Sequence, residues 1–510
     1  MKSRQENNRN RIPSSEDRLH LLLLLVIAVL VAAAVSAFVV DLNRNFLISA
    51  SDTSVFHNTL VNLVHGNGFR VTAYSGPNLL GQHSMFVLLL IAPLYALLPS
   101  VDMLFVLQVW VVYSAVLPLY LVARDILRNS LAAFLTGILA LTSPLLFQMA
   151  AAPFHPESGI LACVLWSYFF YRQNKAIGFW IAFGLAVSCA EQAAFIYVAL
   201  GLAQFFADDG LAWRPRYSKF ALIGGAVWLI LAMGLLIPIM SRPGQLNVMR
   251  YHYSQWGVAS ASDLVLAVAK EPVQAIEYLL SPARWFYVAE LVGLPLLLAF
   301  VFPRSLVLLL PFPFYFLVSD HEFFLNFHAY YFQFAFFAGY LGLIGVLAWR
   351  NLSTGPGRAI LAAAFAVNFL ALIPVEHYFS GLAGGRDEAL NATLRAEFAT
   401  LPPDAAVYSP TRYCAYLSNR TNIVIGDLRE ENLDFDARLD DEFDFTGVHP
   451  EQIDYLVCDL LNDQCGWRMS GYNADTTKIR AANLNRYVQS GRWQVFWNQS
   501  NVVILRRAGK

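Results

Sequence analysis

Apolar and polar positions alternate here on the scale of whole segments. From Leu19 to Val375 long apolar runs are broken by short polar joints, and from Arg386 onward the spacing shortens to that of a soluble domain. The first run, Leu19 to Val40, holds 22 residues. As a helix it reaches about 33 Å, enough to cross a hydrocarbon core of roughly 30 Å. Ten further runs read as spans, at about 103–123, 131–147, 158–171, 176–190, 193–207, 220–240, 285–302, 305–319, 329–348 and 358–376. A cleaved signal peptide is the rival reading of the first, because Val35-Ser36-Ala37 resembles a small-residue cleavage site. Against it stand the long polar stretch before the run and the absence of a polar break after that site. No internal repeat is visible.

Met85 to Leu98, 14 residues ending before Pro99, decides the sidedness of everything downstream. Its length suits an interfacial or re-entrant helix better than a span. Charge votes the same way. Lys2, Arg4, Arg9, Arg11 and Arg18 put the N-terminus in the cytoplasm. If Met85–Leu98 does not cross, the basic joints at Arg124/Arg128, Arg172/Lys175, Arg214/Arg216/Lys219, Arg304 and Arg350/Arg358 fall in the cytoplasm too; if it crosses, all lie outside. The expected organisation is a cytoplasmic N-terminus (1–18), a mainly α polytopic membrane domain of about eleven helices (19–376) with large external loops at 41–102 and 241–284, and an external α/β domain (377–510).

Composition agrees with a polytopic membrane protein: 57% of the 510 residues are hydrophobic and 14% charged. A net charge of -1 argues against nucleic acid as a partner. From Arg386 on, 14 basic residues face 18 acidic ones, so the external domain is acidic. Its pattern predicts helices at 389–400, 411–418 and 476–489, with strands at 405–408, 422–426, 453–460, 493–497 and 502–506. It shows no phosphate loop or catalytic cluster, which favours acceptor binding or a structural role. Of the five cysteines, Cys458 and Cys465 are a candidate disulfide in an oxidising compartment.

Nine of the ten histidines fall on the external side under this topology; His20 alone does not. In the first external loop, residues 55–66 read as an amphipathic helix on the membrane, with Phe56, Leu60, Leu63 and Val64 on one face and Asn58, Asn62 and His65 on another. Asp52 before it is either a helix cap or an external carboxylate placed to take a proton from an acceptor hydroxyl. Gly81-Gln82-His83-Ser84, Pro153-Phe154-His155-Pro156-Glu157 and Cys189-Ala190-Glu191-Gln192 follow. Glu191, amid an apolar stretch, is either a hairpin tip at the interface or a group facing a polar cavity. His155 and Glu157 form a polar loop or a simple turn, and His328 with Tyr330 and Tyr331 opens a span or belongs to an aromatic belt. No fixed-spacing metal motif is present; no metal or cofactor is assigned, and a divalent cation is left open.

The order of these motifs resembles the membrane proteins grouped as domain of unknown function 2079, which in turn look like glycosyltransferases of the C-type fold. Asp52-Thr53-Ser54-Val55-Phe56-His57-Asn58 matches the first Asp and the Phe of the family's Asp-Leu-Gly-x-Phe-Asp-Gln. Gly-Asp-His-Phe becomes Gly81-Gln82-His83-Ser84, Phe154-His155-Pro156-Glu157 is intact, Lys-Glu-Asp becomes Ala190-Glu191-Gln192, and His328 stands at the His-Tyr position. Three acidic positions are thus His57, Gln82 and Gln192, which weakens a divalent-metal reading. The resemblance implies an integral enzyme of a prokaryotic plasma membrane, transferring a hexose or pentose with inversion from a polyprenyl-phosphate carrier to an unidentified acceptor glycan, lipid or protein. Asp52 would be the base, with Asp41 its rival, and His57, His83, His155, Glu157, Glu191, Gln192, Arg250, His252 and His328 would bind substrate. A transporter or flippase, or a non-catalytic membrane scaffold, are the competing readings.

Overall fold

The computed structural model describes residues 14–48, 51–73, 78–205, 215–241, 253–258, 260–282, 284–285, 289, 292–301, 303–309, 332–350, 355–384, 387–426, 448, 450–460 and 474–509. The chain is an integral membrane protein. Among these residues, five helices are long and apolar enough to span: Ser15–Arg44, Val101–Leu127, Tyr217–Met240, Gln333–Arg350 and Gly355–Ile373. Ser130–Leu141 and Pro144–Ala151 form a further span bent by 46°. The expected spans at 158–171, 176–190 and 193–207 are the shorter helices Ile160–Arg172, Ala176–Cys189 and Ala193–Leu202. Of those at 285–302 and 305–319, the helices Leu294–Ala299 and Pro303–Leu309 are described.

Helix ends follow local chemistry. Ser14 caps the first helix by accepting from Asp17 N, and Asp17 reaches back to Ser14 N, satisfying two donors that would otherwise be unpaired. At its C-terminal end Asn43 and Arg44 both bind Asp102, at 2.8 and 2.9 Å, which fixes the end of the first span to the start of the second. Leu88–Leu97, the helical part of the segment that decides sidedness, has 10 residues. It rises about 15 Å, half the thickness of the hydrocarbon core.

Ser51–Val64 does not lie on the surface with a wet polar face. Asn58 and Asn62 are fully buried, like Leu60. The polar face is covered by the C-terminal part of the chain: Asn58 Nδ2 donates to Arg420 O at 2.8 Å, while Asn58 Oδ1 accepts from Thr72 N at 2.8 Å. Amide side chains satisfy stray backbone groups at this seam, and so the helix needs polar residues without touching water.

The C-terminal sheet has strands β1 (Val407–Ser409), β2 (Ile423–Ile425), β3 (Tyr455–Asp459), β4 (Trp493–Gln499) and β5 (Val502–Arg507), in the order β2-β1-β3-β5-β4. β1 runs parallel to β2 and β3, and β5 is antiparallel to β3 and β4. Alternate residues face opposite layers. Val407, Tyr455, Val457, Val502 and Ile504 join the same core as Leu42, Phe46 and Leu60, whereas Tyr408, Leu456, Val503 and Leu505 pack with Leu484 and Tyr487 of the helix Ala474–Gln489. Phe46, just past the first span, meets Tyr413 edge-on at 5.0 Å. Cys458 is a buried free thiol; the pairing considered with Cys465 lies outside the described residues.

Sidedness is open to a direct check. Single cysteines replacing Arg124 and Gly384 should respond oppositely to a membrane-impermeant maleimide in intact cells, with position 384 labelled and position 124 protected. Labelling of position 124 would mean that the 85–98 segment crosses after all.

Candidate functional site

Four breaks in helical structure bring the motif residues together. Asp52 lies in the first turn of Ser51–Val64, where a carboxylate also complements the helix dipole. His83 follows the short turn Leu79–Gly81, His155 precedes the turn Pro156–Gly159, and Glu191 sits between Ala176–Cys189 and Ala193–Leu202.

Two ion pairs result, built with opposite polarity. His155 Nε2 lies 3.4 Å from Asp52 Oδ2, with the His155 side chain 5% exposed and that of Asp52 44% exposed. His83 Nδ1 lies 3.0 Å from Glu191 Oε1, with the histidine 24% and the glutamate 5% exposed. In each pair one member reaches the molecular surface and the other is buried. Of the two readings of Glu191, the structure shows a buried group in a polar cluster; its second oxygen accepts from Ser84 N at 2.9 Å.

The His155 loop is held from within the membrane body. Gln108 Nε2 donates to Met149 O and Ala152 O at 3.1 and 2.9 Å, and its Oε1 accepts from His155 N at 2.7 Å. Thr53 Oγ1 accepts from Phe154 N at 2.9 Å, tying the loop to the Asp52 helix. His155 Nδ1 faces Pro153 O at 2.8 Å, an acceptor, so Nδ1 carries a proton. A second proton, on Nε2, then makes the contact with Asp52 attractive. Burial opposes that charge, but the hydrogen bond and charge of Asp52, helped by Glu157, outweigh it and hold the His155 pKa above its ordinary value.

His83 behaves alike. Burial works against its cationic form, yet the charge and hydrogen bond of Glu191, with smaller contributions from Glu157 and Asp52, raise it to about 9. Glu191 is correspondingly lowered: burial pushes its pKa up and the His83 charge pulls it down further. Glu157 goes the other way, because burial raises it more than the two histidines lower it. Its Oε2 has no hydrogen-bond partner among the described residues, and its backbone oxygen accepts from Gln333 Nε2 at 3.2 Å. Gln192 is buried beside Glu191, its Nε2 likewise without a partner there.

Of the residues singled out in the sequence, Asp52, His83, His155, Glu157 and Glu191 form one cluster. His57 is elsewhere. At 100° per residue it lies about 140° around the helix from Asp52, and Phe56, packed on His155 at 5.4 Å, shares the site face instead. The His57 ring is buried against the C-terminal part, with Nε2 2.7 Å from Tyr95 Oη and Nδ1 2.8 Å from Ser418 Oγ. That placement sets the ring apart from Asp52 and His155, against the C-terminal part of the chain. Asp41 accepts from Asn45 Nδ2 at 3.2 Å and is not among the strongest charges acting on His83, His155 or Glu157. Arg250, His252 and His328 lie outside the described residues. Gln108 and Gln333 were not anticipated, although a glutamine inside an apolar run is a visible signal. Among the described residues no group of three or more His, Cys, Asp or Glu is arranged to hold a metal ion. A hollow of about 470 Å³ is lined by Trp256, Asp263, Lys270 and Glu271 and contains none of the motif residues.

The helical membrane body with its small C-terminal sheet has the fold seen in C-type glycosyltransferases. The solved structure of ArnT from Cupriavidus metallidurans bound to undecaprenyl phosphate is similar with a TM-score of 0.51 and 11% sequence identity, over 96% of this chain and 98% of that one. An Archaeoglobus fulgidus oligosaccharyltransferase tethered with an acceptor peptide gives a TM-score of 0.41 at 13% identity, over 89% of this chain and 71% of that one. Within that fold the chain belongs to the family described as predicted membrane protein (DUF2079), whose model matches residues 43–504. No curated protein sequence matches it.

His57 makes the packing of the C-terminal part sensitive to acid. Burial lowers its pKa from 6.5 to about 4, slightly offset by the carbonyl of Ala415. Between these values the unfolded chain binds a proton that the folded protein excludes, so stability falls as pH drops through this window, by up to about 3 kcal/mol, and levels off below it. Melting temperatures at pH 7 and 4.5 should show this loss in the wild type and a smaller one in His57→Gln. Equal losses in both would remove His57 as its source.

Proposed function

We propose that this chain is an inverting glycosyltransferase that takes a hexose or pentose from a polyprenyl-phosphate donor at the external face of a prokaryotic plasma membrane, with Asp52 as the general base. The carrying observation is the 44% exposed Asp52 carboxylate, 3.4 Å from the buried His155. A base must reach an acceptor hydroxyl arriving from solvent, and of the three carboxylates in the cluster Asp52 alone has that exposure. Glu191 is occupied by His83 and Ser84, and Glu157 is buried. In an inverting transfer the acceptor oxygen attacks the anomeric carbon as the phosphate departs from the opposite face, through an oxocarbenium-like state. Asp52 takes the acceptor proton as the new bond forms. The undecaprenyl phosphate in the ArnT structure supports a lipid carrier of that class. The acceptor would approach beside residues 377–510, read as an external domain.

The test is consumption of radiolabelled polyprenyl-phosphate sugars by the purified protein reconstituted in liposomes. Asp52→Asn should lower turnover by about 10²-fold or more, the usual contribution of a general base, with little change in donor affinity. Unchanged turnover would exclude Asp52 as the base, and absence of consumption with every donor would overturn the reading as a whole.

A further inference from the structure

We propose that His83, held by Glu191, is the cation that receives the departing phosphate: its Nε2–H donates to the phosphate oxygen released from the anomeric carbon. This assignment rests on the glycosyltransferase reading above and deepens it. Three observations on the cluster carry it.

The first is elimination. A phosphodiester monoanion becomes a phosphomonoester dianion when the sugar leaves, and the described cluster otherwise presents the carboxyl groups of Asp52, Glu157 and Glu191. Among the described residues, the strongest charges acting on His83, His155, Glu157 and Glu191 come from one another and from Asp52, with no lysine or arginine among them. Both ring nitrogens of His155 are engaged, by Pro153 O and Asp52.

The second is geometry. His83 spends Nδ1 on Glu191, and its Nε2 has no hydrogen-bond partner among the described residues. A histidine whose Nδ1 is fixed by a carboxylate presents Nε2–H in a defined direction, and a buried carboxylate behind it favours the charged ring. Glu191 is itself immobilised through Ser84 N and Ser84 Oγ at 2.9 and 3.3 Å, so it is the positioning residue of the pair.

The third is complementarity. The two open groups of the cluster are one anion, Asp52, and one cation, His83, each with its opposite buried behind it. An in-line displacement needs both kinds of group, a proton acceptor on the attacking side and positive charge on the leaving side. The balance closes without another reactant. The bond from the anomeric carbon to the phosphate oxygen breaks with its electron pair going to phosphate, the acceptor oxygen bonds the anomeric carbon, the acceptor proton goes to Asp52, and the His83 proton stays on the ring as a hydrogen bond to the new dianion.

The proposal is tested by binding of polyprenyl monophosphate to the full-length protein in detergent micelles between pH 7 and 10, with polyprenol, lacking the phosphate, as the control. Wild-type affinity for the phosphate should hold to about pH 9, where His83 loses its proton, and fall above it. His83→Gln should weaken binding about tenfold at pH 7.5, as expected for loss of one charge-assisted hydrogen bond, and abolish the alkaline fall. Glu191→Gln should move that fall toward neutral pH, a shift that a merely structural role would not produce. Because single changes leave a buried group unpaired, the double variant H83Q/E191Q, which restores a neutral hydrogen bond, should bind as weakly as His83→Gln. Polyprenol binding should respond to none of these changes. His83→Gln with wild-type affinity and the same alkaline fall would overturn the assignment while leaving a lipid-phosphate donor standing. Equal loss of polyprenol binding would overturn it as a disturbed lipid groove, and a wild type that binds no polyprenyl phosphate at any pH would overturn it together with the donor reading.

Discussion

The cost of burying a charge organises the polar cluster at the helix breaks of this molecule. Glu191 and His155 are 5% exposed, and neither would be tolerated there alone. Each needs an opposite charge and further hydrogen bonds, and the partners come from chain segments far away in sequence. His83 lies 108 positions from Glu191. Several elements are therefore pinned at once: the turn after residue 81, the break at 190–192, the start of Ser51–Val64 and the 152–159 loop cannot move independently without orphaning a buried charge. The polar cluster is a clamp on the helix ends as well as a set of reactive groups.

That clamp rests on neutral hydrogen bonds deeper in the membrane body. Gln108 gives both ends of its amide to the 149–155 backbone, and Gln333 donates to Glu157 O. Where a helix ends inside a membrane protein its last carbonyls have no water to turn to, and a side-chain amide supplies the missing donor. The glutamines and the charged pairs thus do different work. The former let the helices stop where they do, and the latter fix what projects from the stops.

Much of this was legible in the sequence, for reasons that can be named. Apolar runs mark helices whatever they pack against, and a two-residue alternation marks the sheet, so the five strands fall within about two residues of their expected places at most ends. The motif residues stood out because an ionisable group amid apolar sequence has few uses other than a polar site. Pairing was not legible, since nothing near His83 names Glu191 as its partner. His57 is near Asp52 along the chain, but the helical rotation between them points the two side chains apart. Asn58 and Asn62 read as a wet face because polarity alone does not separate solvent from a seam of backbone groups needing partners.

The seam also explains how a small sheet attached to a membrane body bears on the site. Asp52 and Phe56 sit on one side of Ser51–Val64, and His57 and Asn58, on another, hold residues 415–421. One rigid helix therefore carries the open carboxylate on one side and the C-terminal part of the chain on the other. A helix of 14 residues cannot rotate to release one contact without losing the other. The position of Asp52 relative to His155 is thus set partly by packing at Tyr413, Ser418 and Thr421, none of which touches the cluster, and a sequence change in the C-terminal part has a physical route to the site through that shared helix.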